Sequence, residues 1–179
     1  MKIATILPYK ENYTFSKAQA AAIWVCDFYK YSKFKNNNFI YGNTSSTDFL
    51  TKNYVNIKIN NLKSKFSSST KEYCKNFIKK NDNENFDIIE IHNRPLIFNF
   101  LKKDISAKYI LYFHNDPLSM NGSKLVSERE ELLKKCSKVI FNSEWSKNRF
   151  LTKLNEIYFK SPKLIVIKQS ADTQKINIK

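Results

Sequence analysis

Glycine and proline are scarce in this 179-residue chain, with two and four copies, and the shortage excludes several chemistries. The turn after the first apolar run reads Tyr9-Lys10-Glu11-Asn12-Tyr13-Thr14-Phe15-Ser16-Lys17-Ala18-Gln19. A dinucleotide fold places G-x-G-x-x-G there, because glycine lets the backbone approach a pyrophosphate closely. Close phosphate contact from this loop is therefore unsupported, although Lys10, Lys17 and the following helix N-terminus offer attraction to an anion. No Walker A sequence occurs, and Ser143 lacks the G-x-S-x-G context of a nucleophile elbow. Cys26, Cys74 and Cys136 are widely spaced without C-x-x-C, which suggests neither a disulfide framework nor a zinc site and makes a reducing compartment the default. The apolar run at residues 3–7 breaks at Pro8, too short for a signal peptide or a membrane span.

Arginine is nearly missing as well. Only Arg94, Arg129 and Arg149 occur, so 28 of the 31 basic residues are lysine in a chain of net charge +15. Such charge favours nucleic acid through counterion release, but base and phosphate recognition draws on arginine's bidentate fork. No nucleic-acid partner is expected. Abundant Asn, Ile, Phe and Tyr beside little Gly and Pro is what an AT-rich coding sequence yields. The charge then has two readings: compositional bias on a solvated surface, or attraction to an anionic partner such as a membrane or a phosphorylated glycan. Lys30, Lys33 and Lys35 among Tyr29, Tyr31 and Phe34, and the helically spaced Lys71, Lys75, Lys79 and Lys80, fit a solvated face or an anionic bilayer surface.

With 42% hydrophobic residues the chain can fill one sizeable core. Short apolar runs alternate with longer helical patterns, the signature of βαβ units and a parallel sheet. Strands are expected at residues 3–7, 39–42, 55–59, 86–91, 109–113, 138–141 and 164–167. Helices are expected at 16–32, with Ser16 as N-cap, and at 69–80, 96–103, 124–136 and 144–155. Residues 81–85 read as a polar loop. The fold class is α/β: a single Rossmann-like doubly wound domain over 1–168, with a mostly parallel sheet of about seven strands flanked by helices. Residues 169–179 read as a polar linker or frayed end.

Three strand ends carry polar chemistry: His92-Asn93-Arg94, His114-Asn115-Asp116 and Asn142-Ser143-Glu144. Carboxyl ends of neighbouring parallel strands share one edge, so these groups can line one cleft. Asparagine, aspartate and serine after strands also cap helices and form turns, and the asparagines read first in that way. The only two histidines fall at equivalent places on adjacent strands, which points to a site with His114 in it. Asp87 and Glu90 flank a strand and do not read as an acid/base pair.

The run FDIIEIHNRP, then YILYFHNDPLSMNGSK with Glu128-Arg129, then KVIFNSEWSKNRFL, resembles the amino-terminal half of bacterial family-4 glycosyltransferases of the GT-B type, above all those that build lipopolysaccharide or related surface glycans. The likeness runs from the first strand to about Asp172. It implies two facing Rossmann-like domains, the amino-terminal one holding a glycan or lipid-linked acceptor and the other binding a nucleotide-sugar donor. It implies hexosyltransferase-type transfer that is metal-independent and retains configuration, with no cofactor beyond the nucleotide-sugar co-substrate. The implied location is cytoplasmic, peripheral on the inner face of the membrane. By the same resemblance His114 lies beside the transferred sugar, Asn115 and Asp116 share its wall, Asn93 and Arg94 form a second acceptor loop, and Ser143 and Glu144 a third.

Two departures from the family matter. Lys17-Ala18-Gln19-Ala20 replaces its glycine-rich loop, leaving Lys17 as that loop's substrate-binding candidate. Gln169-Ser170-Ala171-Asp172 stands where its N-G-V-D turn leads into the second domain, and the chain stops soon after. The donor domain with its paired glutamates is therefore expected to be absent and the chain inactive alone. The alternatives are a stand-alone, non-catalytic module that binds glycan, membrane or protein, and, less favoured, a basic nucleic-acid-binding domain.

Overall fold

The computed structural model describes residues 1–59 and 68–168. The expected linker at 169–179, with its Gln-Ser-Ala-Asp turn, lies outside the described residues.

Among the described residues seven strands form one sheet: β1 (Ile3–Ile6), β2 (Asn38–Gly42), β3 (Tyr54–Asn56), β4 (Ile88–His92), β5 (Lys108–Phe113), β6 (Lys138–Phe141) and β7 (Leu164–Val166). Their order is β3-β2-β1-β4-β5-β6-β7 and every pairing is parallel. The side-chain period of two sends alternate residues to opposite faces, and each face has its own core. On one, Ala4, Ile6, Tyr41, Ile91, Leu111, Phe113 and Phe141 pack against Phe77 of α2 (Ser69–Lys80), Phe98 of α3 (Pro95–Leu101), Leu132 of α4 (Val126–Lys135) and Phe150 of α5 (Glu144–Leu151). On the other, Leu7, Ile40 and Tyr54 pack against Ala22, Val25 and Cys26 of α1 (Ala20–Tyr31).

Right-handed crossovers explain the split. The chain steps one way from β1 to β3, returns across the sheet, then steps the other way from β4 to β7. Its reversal leaves the crevice between β1 and β4, the topological switch point at which open α/β sheets bind ligands.

The expected class and strand count hold, and the boundaries differ for local reasons. Ser16 does not cap the first helix: its N–H donates to Asp48 Oδ2 at 3.1 Å, and α1 begins at Ala20 without a side-chain cap from Gln19. Glu11 does the capping instead, its Oε1 accepting from Ala22 N at 3.0 Å. The third helix starts one residue early because Pro95 suits the first helical turn, where its missing N–H costs nothing. Within the expected polar loop, Asn81 is buried and accepts from the Tyr41 hydroxyl at 2.7 Å.

Candidate functional site

The site is built on the backbone of His114, which two asparagines clamp. Asn93 Oδ1 accepts from His114 N at 2.8 Å, and Asn142 Nδ2 donates to His114 O at 2.7 Å. Asn93 holds a left-handed backbone, φ 52°, a conformation asparagine tolerates better than most residues, and its own N–H donates to Tyr112 O at 2.8 Å. Three strand ends are thus tied edge to edge. These asparagines act as cross-strand clamps and not as helix caps.

The ring of His114 lies on the α1 side of the sheet. Its Nε2 is 2.9 Å from His92 Nδ1, and His92 stacks on Tyr112 with ring centroids 4.7 Å apart. Trp24 of α1 covers the group, 5.3 Å from His114, 5.8 Å from His92 and 5.1 Å from Tyr112. Burial holds the His114 pKa down to about 4. Burial, then the neighbouring His114, holds His92 well below the ordinary 6.5. Both rings are therefore neutral at pH 7.

That neutrality fixes the tautomers. His92 Nε2 is buried with no hydrogen-bond partner among the described residues, and an orphaned buried N–H is rarer than an orphaned acceptor. His92 then carries its proton on Nδ1 and donates to His114 Nε2. His114 then carries its own proton on Nδ1, with Nε2 engaged as the acceptor from His92.

A second buried polar string runs behind. Thr5 Oγ1 lies 2.9 Å from both Asn38 Oδ1 and Glu90 Oε2. One hydroxyl proton cannot serve two acceptors. Burial raises the Glu90 pKa against the Thr5 hydrogen bond, and a protonated Glu90 that donates to Thr5, which donates to Asn38, satisfies all three groups.

The histidine pair sets an acid limit. In the unfolded chain a histidine titrates near 6.5, whereas folded His114 titrates near 4. Between those values the unfolded chain binds protons that the folded chain refuses, so the stability is full above the upper value and is lost as pH falls toward the lower one. The raised carboxyls of Glu11 and Glu90 act with the opposite sign. A His92→Gln/His114→Gln variant separates the effects: its melting temperature should fall less than the wild type's between about pH 7 and pH 5. Equal falls would contradict a buried neutral pair.

Beside the clamped backbone opens a cleft of about 430 Å³. The β1–α1 segment contributes Pro8, Lys10, Glu11 and Gln19; the β4 end contributes Asn93 and Arg94; the segment after β5 contributes Asn115, Ser119, Met120, Asn121 and Lys124. A second hollow of about 410 Å³ adjoins it, sharing Lys10 and adding Tyr9, Asn12, Asn43 and Ser69. Gly122 shapes the last segment. Its φ is +93°, and a Cβ there would stand 2.7 Å from Leu96 N. Gly122→Ala is expected to cost about 2–4 kcal/mol from strain and overlap, measurable by urea unfolding; a loss under about 0.5 kcal/mol would contradict this packing.

The predicted site residues separate into groups. Asn93, Arg94 and Asn115 line the cleft. His114 stands against Trp24 and His92 and is not among the lining groups. Asp116 caps the next turn by accepting from Leu118 N at 3.0 Å, and pairs with Arg149 at 3.1 Å. Burial works to raise its pKa, but the Arg149 and Leu118 hydrogen bonds and the Arg149 charge prevail and lower it. Ser143 caps α5, accepting from Ser146 N at 3.2 Å. Glu144 is exposed and pairs with Lys147 at 3.8 Å. Lys17 is exposed, and neither it nor Ser143 nor Glu144 lines the cleft. Gln19, Asn121 and Lys124 were not singled out from the sequence as site residues, whereas Asn142 stood among the polar strand ends without its clamping role being visible.

No family model and no curated protein matches the chain. Solved structures do. Sucrose-phosphate synthase from Thermosynechococcus elongatus superposes with a TM-score of 0.66 at 10% identity, over 97% of this chain and 49% of that one. Anabaena HepE, solved in complex with UDP-glucose, superposes with a TM-score of 0.62 at 13% identity, over 97% of this chain and 45% of HepE. HepE in complex with UDP and glucose gives 0.56 at 13% identity, over 97% and 46%. This chain spans about half the length of these proteins and shares the fold of that half, one Rossmann-like half of a GT-B architecture.

Proposed function

We propose that this chain is the acceptor-binding half of a retaining, hexosyl-transferring glycosyltransferase that moves a sugar from a nucleotide-sugar to a cell-surface glycan or lipopolysaccharide precursor. The observation that carries the proposal is a polar cleft at the carboxyl ends of β1, β4 and β5, in a fold that matches about half of solved proteins such as HepE. The cleft lies at the switch point where such a sheet holds its ligand. Amide side chains of Gln19, Asn93, Asn115 and Asn121 supply both donors and acceptors, the set that sugar hydroxyls require.

In this reading the family-4 resemblance gives the roles. His114 lies beside the sugar under transfer. Asn115 and Arg94 hold the acceptor. Asp116, locked to Arg149, keeps the loop after β5 in place. A second domain binds the nucleotide-sugar, and transfer waits on both halves because the reacting groups must be brought together. Action is on the cytoplasmic side, at the inner face of the membrane; no helix among the described residues is long and apolar enough to cross a membrane.

Binding of the isolated chain tests the division of labour. On an array of bacterial surface glycans the chain should bind a defined subset, while titration calorimetry with UDP-glucose should show no saturable heat in the low millimolar range. Tight UDP-glucose binding with no glycan bound would contradict the proposal. Steeply salt-dependent binding to duplex DNA in place of glycan would assign the chain to nucleic acid.

A further inference from the structure

Three cations line the main cleft beside a single carboxyl, that of Glu11. Lys10, Arg94 and Lys124 all line it. Arg94 and Lys10 each stand close to one ring: the Arg94 guanidinium carbon is 5.5 Å and Lys10 Nζ 5.9 Å from the Tyr9 centroid. Like charges gathered in this way repel, and an anion received among them relieves the repulsion. Among the described residues none of the three forms an ion pair. The carboxylates after β5 and β6 are engaged elsewhere, Asp116 with Arg149 at 3.1 Å and Glu144 with Lys147 at 3.8 Å.

Glu11 is the one carboxyl in the lining, and it is turned to another task. Its Oε1 accepts from Ala22 N at 3.0 Å at the start of α1, and burial raises its pKa against the Ala22 and Ala21 hydrogen bonds. An incoming anion therefore meets the start of α1 already capped and is left to the side-chain cations. The charge count favours phosphate. A sugar carboxylate brings one negative charge and a phosphate monoester between about 1.5 and 2, which suits three cations better. Arginine adds a fork that matches phosphate oxygens in pairs.

Resting on the acceptor reading above, we propose that the ligand of this cleft is a saccharide carrying a phosphate, with the phosphate held by Arg94 and Lys10 and approached by Lys124 from the loop after Gly122. The neutral amides of Asn93, Asn115 and Asn121 meet the sugar hydroxyls.

Amide NMR of the labelled chain tests this with three probes: glucose, glucose 6-phosphate and inorganic phosphate. Glucose 6-phosphate should shift the amides of Asn93, Asn115 and Asn121 saturably and bind at least about tenfold more tightly than glucose. Arg94→Gln and, separately, Lys124→Gln should weaken glucose 6-phosphate binding about tenfold and weaken it more than they weaken glucose binding. Lys33→Gln removes the same charge from an exposed position away from the cleft and should leave both unchanged. Equal affinity for glucose and glucose 6-phosphate, or equal weakening by Arg94→Gln and Lys33→Gln, would overturn the proposal.

The outcomes also separate it from the reading on which it rests. Glucose 6-phosphate bound in the cleft with no glycan bound on the array would leave the anion site standing and remove the acceptor role. Neutral glycans bound there with phosphate silent would do the reverse. Sedimentation with phosphatidylinositol vesicles locates the phosphate: cosedimentation lost in Arg94→Gln assigns it to a lipid headgroup, and no cosedimentation assigns it to a soluble sugar phosphate.

Discussion

In a transferase that unites this chain with a donor-binding domain, as proposed above, His114→Ala is expected to lower kcat by at least about 100-fold, the scale of one oriented polar group lost from a transition state. The stability cost is expected to be smaller, about 1–3 kcal/mol. The variant leaves His92 Nδ1 without its acceptor and opens space beneath Trp24, while the backbone clamps from Asn93 and Asn142 involve main-chain atoms and persist. Unfolding and turnover measured on one preparation separate the effects. His114→Asn, which keeps a side-chain N–H, should recover part of kcat. Near-wild-type turnover in His114→Ala would remove the residue from the site.

Arg129→Ala is expected to destabilise the fold by about 3–5 kcal/mol, more than His114→Ala or Gly122→Ala. Arg129 is 2% exposed and forms no ion pair among the described residues. Its guanidinium donates to Ser123 O at 3.0 Å, Lys124 O at 2.7 Å and Thr152 O at 2.7 Å, while Nε has no partner among the described residues. It thereby ties the cleft-forming loop to the end of α5. Charge-assisted hydrogen bonds of this kind contribute about 1.5–3 kcal/mol each, partly offset by the desolvation that lowers the pKa of the group. Truncation leaves three carbonyls and a cavity. Arg129→Lys should be nearly as harmful, because one ammonium cannot span carbonyls on two elements. Chemical denaturation checks both variants, and a loss under about 1 kcal/mol would show that the loop holds without this staple.

Much of the sheet was legible because parallel strands covered on both faces read as short continuous apolar runs, and 138–141 and 69–80 matched the observed elements to the residue. The three polar strand ends were legible for the same reason, since a parallel sheet puts its carboxyl ends on one edge. Their roles were not. Asn93 and Asn142 reach the backbone of a neighbouring strand, and local sequence shows only their own. Glu11 caps a helix that begins nine residues later, so Ser16 looked like the natural cap. Lys17 and Lys10 are equivalent by composition, yet only Lys10 lines the cleft. Lys124 reaches it because the chain turns at Gly122 with a positive φ, a turn the sequence announces as a glycine without giving its direction. Trp24, five residues into α1, falls over the histidine pair through tertiary packing alone.

Chemical-shift mapping with a glycan that the chain selects from the array tests the central claim most directly. Residues Asn93, Arg94, Asn115 and Asn121 should show the largest saturable shifts, and Trp24 and His114 smaller ones through the shared backbone. Shifts confined to the lysine face of α2, or dispersed over the surface with no change at Asn93 and Asn115, would contradict an acceptor cleft at the ends of β1, β4 and β5.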